Sequence, residues 1–170
     1  MEQKQPAGIG PVERGVMPRR APRCLDLFCG AGGAGMGLHR AGFEVVGVDI
    51  NPQPYYPFTF RQGDALDADL SGFDLVWASP PCQAYTAMQA MHKNSAAHKD
   101  MVAPMRTKLE AWGGLWIMEN VAGSPLRESL MLCGSMFGLR IAKHRFFEAS
   151  FELPLLMPPC DHRDLYDPWH

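Results

Sequence analysis

Short apolar runs alternate with helix-compatible segments along the central part of the chain. Each run is four to six residues long and stops at glycine, proline or a polar side chain. Runs of this kind are typical of strands that are buried on both faces of a sheet. We therefore predict strands at 24–28, 44–49, 58–61, 73–78 and 115–118.

The segments between these runs predict helices over 34–41 and 101–112. A third helix is expected over 125–136, with Ser124 as its N-cap and a proline in its first turn. Residues 140–151 are expected to form a hairpin of two short strands. Strands that alternate with helices predict an α/β fold with a mostly parallel, doubly wound sheet.

Ligands of such sheets bind outside the carboxyl ends of the strands. The polar and glycine-rich positions of this chain fall at those ends, which makes that edge the candidate site. They are residues 29–33, Asp49, Asp64, residues 80–83, Glu119 and Asn120.

The length of 170 residues fits one domain, and 46% hydrophobic residues fit a packed core. We divide the chain into a flexible basic leader (1–22), a folded catalytic domain (23–151) and a loop-like C-terminal segment (152–170). The net charge of −2 means that nucleic-acid binding would depend on local basic patches. The leader is such a patch, although a solubilising tail has the same composition.

Five cysteines, an odd number without a Cys-x-x-Cys pair, argue against a disulfide framework and a zinc ribbon. A reducing, cytoplasmic setting fits this pattern, in a prokaryote or in a phage-infected host. We expect no membrane association, since no apolar run approaches the roughly 20 residues that span a bilayer.

The glycine-rich stretch DLFCGAGGAGMG, residues 26–37, follows the first strand. Backbone amides at such a turn suit a nucleotide or S-adenosylmethionine, although tight packing of strand on helix also requires glycine. Asp49 ends the second strand, where a carboxylate can accept ribose hydroxyls. Asp64 could accept an adenine amine, or could be an ordinary turn aspartate.

Pro80-Pro81-Cys82-Gln83 follows the fourth strand and directs a thiol to the ligand edge. Such a cysteine becomes a nucleophile when its thiolate is stabilised, and is otherwise a small residue in a turn. Glu119 closes the next strand, as a carboxylate of the candidate site or as a helix-capping or ion-paired one. Residues 143–145 are the compact basic cluster of the folded part, or a solvated strand edge.

These motifs resemble the cytosine-C5 DNA methyltransferases, and short phage-encoded DNA methylases in particular. The resemblance covers about residues 24–151. It is carried, in the family's order and spacing, by DLFCGAGGAGMG, VGVDINP, GD, SPPCQ, ENV and HRFFE.

The resemblance implies a Rossmann-like S-adenosylmethionine-dependent methyltransferase fold. It also implies methyl transfer to C5 of a flipped cytosine in DNA through a covalent bond between Cys82 and C6, without a metal. Catalytic roles are implied for Pro81, Cys82, Glu119 and Arg145.

Two further sets of residues follow from the resemblance. The cofactor set is Asp26, Phe28, Gly30, Gly32, Asp49, Ile50, Asp64, Ala65 and Pro80. The nucleic-acid set is Gln83, Tyr85, His92, Lys93, Lys99 and Lys143, most of it on a loop at 84–99 that we expect to close over the flipped base.

The chain departs from the family in three places. Asp49 stands where the family has glutamate, and the family's Gln-x-Arg-x-Arg motif reads Ile141, Lys143 and Arg145. The family's target-recognition region and final motif are not found, and residues 152–170 are too short for both.

Three alternatives remain open. The chain could act on RNA instead of DNA. It could be a cofactor-binding subunit or fragment that requires a partner chain for recognition. Cys160 and His162 could hold a metal with His144, although Cys-x-His is poor ligand spacing by itself.

Overall fold

The computed structural model describes residues 20–83, 85, 100–153 and 157–163. Within these residues, ten elements follow one another along the chain. They are β1 (Arg23–Leu27), α1 (Gly33–Arg40), β2 (Glu44–Asp49), β3 (Thr59–Gln62), β4 (Leu75–Ala78), α2 (Val102–Trp112), β5 (Trp116–Asn120), β6 (Leu130–Cys133), a 3₁₀ turn (Gly134–Phe137) and β7 (His144–Ala149).

The seven strands form one sheet in the order β3-β2-β1-β4-β5-β7-β6. Strands β1 to β5 pair in parallel, and β7 pairs antiparallel with both β5 and β6. The prediction of a mostly parallel α/β sheet is therefore confirmed. Its antiparallel edge brings β7 alongside the carboxyl end of β5.

Successive side chains of the buried strands point to opposite faces of the sheet. Leu25 and Leu27 of β1 pack in one core cluster with Met105 and Leu109 of α2. Cys24, the residue before Leu25, packs on the other face of the sheet in a second cluster with Leu38 of α1. Each helix therefore covers one face, and burial of each leucine contributes about 1.5–3 kcal/mol.

The predicted helix over 125–136 is wrong, because this segment is an irregular connection followed by β6 and the 3₁₀ turn. Its backbone is bound to other elements: the Pro125 carbonyl accepts from Arg106, and the Arg127 N–H donates to Glu148. Ser124 caps no helix, since its hydroxyl donates to the Val121 carbonyl. Tertiary partners have thus replaced the internal hydrogen bonds of a helix.

The predicted hairpin within 140–151 is also wrong in its partners. This segment forms one strand, β7, and its hairpin partner is β6. Their register places Cys133 opposite His144 and Leu132 opposite Arg145.

A buried ion pair connects α2 to this antiparallel edge. The Arg106 guanidinium donates to both carboxylate oxygens of Glu148, each at 2.7 Å. The two residues are 5% and 6% exposed. The pair therefore lies in the interior and holds the 125–127 connection against the sheet.

Among the described residues, no helix combines the length and the apolar character that crossing a membrane would require.

Candidate active site

A cleft of about 310 Å³ opens at the carboxyl ends of β1, β2, β4 and β5. Its walls combine both groups of predicted residues. From the cofactor set they include Phe28, Asp49, Ile50 and Pro80, and from the catalytic set Pro81, Cys82, Glu119 and Arg145. The structure therefore brings together in one cleft residues that are up to 117 positions apart in sequence.

The turn after β1 forms one side of this cleft. Phe28 adopts φ 59°, which is uncommon for a residue with a side chain, and Gly32 adopts φ 91°. A Cβ at Gly32 would lie 2.7 Å from Cδ of Pro57, so only glycine fits there. The conformation of this turn therefore depends on its close contact with the 51–57 loop. The turn also lines the cleft through Phe28.

Asp49 connects this turn to the end of β2. Its two carboxylate oxygens accept hydrogen bonds from the N–H groups of Gly30 at 3.0 Å and Asn51 at 2.9 Å. Each oxygen keeps a further lone pair, so the fixed carboxylate can also accept from a ligand hydroxyl. Beside it, Ile50 exposes 64% of its surface and offers an apolar face to a flat ring.

Five predicted cofactor residues are not on the wall of the cleft. They are Asp26, Gly30, Gly32, Asp64 and Ala65. Asp64 accepts the Leu66 N–H in an ordinary turn, and Ala65 is packed in the core at 3% exposure. Gly30 and Gly32 shape the turn behind Phe28.

Asp26 is completely buried beneath α1, where one of its oxygens accepts from the Tyr56 hydroxyl at 2.9 Å. The other oxygen, Oδ1, has no hydrogen-bond partner among the described residues. Burial raises the pKa of Asp26 from 3.8 to about 6, against the opposing effect of the Tyr56 hydrogen bond. This carboxyl group therefore keeps its proton more firmly in the folded protein than in the unfolded chain.

The Asp26→Asn substitution should reveal this proton in the pH dependence of stability. Since the folded pKa is raised, wild-type protein should lose stability as pH rises from about 4 to about 6, a loss that the asparagine variant lacks. Between pH 3 and 7, the free energy of unfolding of the wild-type protein should fall by about 3 kcal/mol relative to that of the variant, at about 1.36 kcal/mol per pKa unit. Urea denaturation of both proteins at several pH values measures this shift. A difference that is constant with pH would contradict the prediction.

The turn after β4 carries the candidate nucleophile. Pro80 is buried, Pro81 and Gln83 are exposed, and Cys82 is half-buried in the wall of the cleft. A buried amide holds the turn in place: Asn120 Nδ2 donates to the Pro80 carbonyl at 3.0 Å, and the Val121 N–H donates back to Asn120 Oδ1 at 2.8 Å. Asn120 was a candidate by position alone, and the structure gives it this positioning role.

Two other cysteines, unlike Cys82, are not in the wall of the cleft. Cys24 and Cys29 are buried, and burial raises the pKa of each thiol to about 12. At neutral pH these two groups are protonated and shielded from reagents.

Glu119 and Arg145 form an ion pair on the wall facing Cys82's turn, with 2.7 Å between Arg145 Nε and Glu119 Oε1. Burial raises the pKa of Glu119, while the charges of Arg145 and Lys143 and a hydrogen bond from Ser79 oppose the rise. The Ser79 hydroxyl itself accepts from Trp77 Nε1 at 2.7 Å, which leaves its proton free for Glu119. No pattern in the sequence indicated these two hydrogen bonds from Trp77 to Ser79 and from Ser79 to Glu119.

The predicted nucleic-acid set is only partly visible. His92, Lys93 and Lys99 lie outside the described residues, as does most of the predicted closing loop. The Tyr85 hydroxyl donates to Asp100, which also accepts the Val102 N–H at the start of α2. Gln83 lines the cleft, and Lys143 is exposed close enough to lower the pKa of Glu119.

A larger cavity of about 920 Å³ lies at the opposite end of the strands, beside Trp116 and Ser150. Trp116 begins β5, so this cavity is at the amino-terminal end of a parallel strand. Because ligands of such sheets bind at the carboxyl ends, the smaller cleft is the better candidate site.

Comparisons with known proteins indicate the family and the fold of this chain. The sequence model of the C-5 cytosine-specific DNA methylase family matches residues 22–124. Among solved structures, the S. pombe Dnmt2 methyltransferase is similar at 18% identity and a TM-score of 0.53, over 78% of this chain and 51% of that one. The Entamoeba histolytica methyltransferase EhMeth is similar at 16% identity and a TM-score of 0.55, over 84% of this chain and 58% of that one.

A curated protein is also similar over a short stretch. The 23S rRNA (uracil(747)-C(5))-methyltransferase of Pyrococcus horikoshii is 34% identical over 70 residues, which are 35% of this chain and 17% of that protein. The chain thus spans between half and three fifths of the two solved structures and a much smaller part of this relative.

Proposed function

Because the chain belongs to the C-5 cytosine-specific DNA methylase family, we propose that it transfers a methyl group from S-adenosylmethionine to C5 of cytosine in DNA. One observation carries the proposal: Cys82 lies in the same cleft as Glu119, Arg145 and the Asp49–Ile50 corner. The proposed nucleophile, the proposed charge-stabilising pair and the proposed cofactor-binding residues therefore all line one cleft.

The residues of the cleft suit S-adenosylmethionine. Its volume of about 310 Å³ is at the lower end of the range of about 300–1,000 Å³ that small-molecule sites occupy. Asp49 would accept the ribose hydroxyls, Ile50 would cover the adenine, and Phe28 and Pro80 would line the methionine part. The bound cofactor supplies an electrophilic methyl group on a positively charged sulfur.

Cys82 would act as the nucleophile that activates the base. Its thiolate adds to C6 of cytosine, and the electron pair of the C5–C6 double bond becomes available at C5. C5 would then bond to the methyl carbon while the bond between that carbon and the cofactor sulfur breaks, which leaves S-adenosylhomocysteine as the second product. Loss of the C5 proton to a solvent base, with departure of the thiolate from C6, restores the aromatic ring and releases 5-methylcytosine.

Glu119 and Arg145 would stabilise the charge that this addition places on the ring. A protonated Glu119 can donate to N3 and accept from the exocyclic amine, and the burial that raises its pKa favours that protonated state. Arg145 would donate to O2. A fixed donor of this kind typically contributes about 3–4 kcal/mol to stabilisation of the transition state.

A cytosine within a duplex cannot reach Cys82, so the reaction requires the base to be flipped into the cleft. Gln83 and Lys143, at the mouth, would contact the DNA around the flipped nucleotide. The similarity to an rRNA C5-methyltransferase over 70 residues favours RNA as the second candidate substrate. A partner chain that supplies target recognition is the remaining alternative.

Incubation of the purified chain with tritiated S-adenosylmethionine tests the proposal. A cytosine-containing duplex should be labelled, and a duplex of the same sequence with 5-methylcytosine throughout should not. A duplex that carries 5-fluorocytosine should form a covalent adduct with the chain, because fluorine at C5 blocks the loss of a proton that would release Cys82.

Two results would overturn the proposal. Labelling of RNA without labelling of DNA would make the chain an RNA methyltransferase. Binding of S-adenosylmethionine without transfer to either nucleic acid would favour the cofactor-binding subunit.

A further inference from the structure

Two cysteines and two histidines converge at the end of the β6–β7 hairpin, outside the cleft. They are Cys133, His144, Cys160 and His162, and their four potential ligand atoms all lie within 4.8 Å of one another. We propose that these four side chains form a structural zinc site, the hairpin site.

The sheet register supplies the first two ligands. Cys133 ends β6, His144 begins β7, and the two residues are direct partners in the antiparallel pair. The other two ligands come from residues 157–163, which fold back onto the hairpin. The Asp161 N–H donates to the Ser135 hydroxyl at 3.1 Å, and this bond fixes the segment between Cys160 and His162.

Three of the distances between ligand atoms lie within about 0.4 Å of those in a tetrahedral zinc site, and the remaining ones do not exceed 4.8 Å. Bonds of about 2.3 Å to sulfur and about 2.0–2.1 Å to nitrogen place a sulfur and a nitrogen ligand about 3.6 Å apart, and two nitrogens about 3.3 Å apart. The observed separations are 3.2 Å from Cys133 Sγ to His162 Nε2, 3.7 Å from Cys160 Sγ to His144 Nε2, and 3.2 Å between the two Nε2 atoms.

The donor set also selects the metal and its role. Two thiolates and two imidazoles are a typical structural zinc set, and four protein ligands leave no open position for a catalytic water. The Ser135 hydroxyl donates to Cys133 Sγ at 3.3 Å, a supporting bond that favours the thiolate form. A metal-free hydrogen-bonded cluster explains the arrangement less well. Both histidines are exposed, so burial does not force them together and water could satisfy each one separately.

The hairpin site is next to the proposed active site along β7. Arg145 follows His144 directly and donates from Nη1 to the His144 carbonyl at 2.8 Å, while its Nε pairs with Glu119. A metal that fixes His144 would therefore fix the backbone from which Arg145 reaches the cleft. This proposal departs from the expectation, drawn from the sequence, that the chain holds no metal. From the sequence, only Cys160, His162 and His144 were candidate ligands, and the structure adds Cys133 as the fourth.

The test is metal analysis of the full-length, untagged chain expressed in zinc-supplemented medium. We expect inductively coupled plasma mass spectrometry to detect one zinc ion per chain. Cys160→Ser and His144→Ala should each lose it. Cys82→Ser is the matched control for the first, since Cys82 is the other half-buried cysteine, and His39→Ala, on the exposed face of α1, is the control for the second. Both controls should keep the zinc.

Cobalt provides a second measurement. Replacement of zinc by Co²⁺ should give the intense visible absorption of a tetrahedral site and a thiolate-to-cobalt band, and both should be lost in Cys160→Ser. Far-UV circular dichroism and S-adenosylmethionine binding show whether each variant keeps the folded α/β body. Wild-type protein without stoichiometric zinc, or a folded Cys160→Ser variant that keeps it, would overturn the proposal.

Discussion

The Cys82→Ala variant is expected to lose methyl transfer by a factor on the order of 10⁴ or more, because removal of a catalytic nucleophile can cost about 10⁶ in turnover. The reason is chemical: without addition to C6, C5 of cytosine is too weak a nucleophile to attack the methyl group. Cofactor affinity should stay near that of wild type, since the contacts assigned to Asp49, Ile50 and Phe28 remain.

Single-turnover assays with tritiated S-adenosylmethionine measure the loss, and isothermal titration measures cofactor binding in the same preparation. The variant should also form no adduct with a 5-fluorocytosine duplex. A variant that still methylates at a tenth of the wild-type rate would contradict the role of Cys82 as nucleophile. Equal losses of transfer and of cofactor affinity would show instead that Cys82 supports the shape of the cleft.

The Glu148→Gln variant is expected to lose about 3–5 kcal/mol of stability, the usual cost of breaking a buried ion pair by removing one partner. Glutamine has the shape of glutamate but leaves the charge of Arg106 buried without a counter-ion. It also weakens the hydrogen bond that Glu148 accepts from the Arg127 N–H at 2.8 Å. Urea denaturation at pH 7, followed by circular dichroism, measures the change.

A matched control is available close by. Glu110 pairs with Arg127 at 3.4 Å, and both side chains are more than half exposed. Because exposed pairs contribute about 0–1 kcal/mol, Glu110→Gln should change stability little. Similar effects of the two substitutions would contradict the special cost assigned to the buried pair.

The buried pair also predicts how acid affects the protein. Burial alone would raise the pKa of Glu148, but hydrogen bonds from Arg106 and Arg127 outweigh it and lower the pKa. Glu148 therefore adds stability above the pKa it has in the unfolded chain. This contribution disappears as pH falls through the folded pKa. The stability difference between wild type and Glu148→Gln should narrow over that acid range.

The parts of the fold that depend on local sequence were predictable. Strand β2 was predicted with its observed bounds, and α1 and α2 within one residue at each end, because apolar runs and flanking glycines mark them. The cleft was predictable too, since the carboxyl ends of parallel strands meet at one edge. Its location required no knowledge of individual contacts.

The errors lie where distant residues determine the outcome. The local sequence of 125–136 favours a helix. Its backbone instead forms hydrogen bonds with Arg106 and Glu148, which are 42 positions apart in the sequence. Cys133 was not grouped with Cys160 and His162 because only the β6–β7 register brings it to His144. Spacing along the chain carries no information about either arrangement.

The bond from Asn120 to the Pro80 carbonyl has a consequence for how this protein can change over evolutionary time. It joins the turn that carries Cys82 to the end of β5, which carries Glu119, through one buried amide. The spacing of the reacting groups is therefore set by the framework of the sheet, separately from the segments that would meet the nucleic acid. Under the proposed function, exchanges in those outer segments would alter which target is chosen without moving Cys82 relative to Glu119.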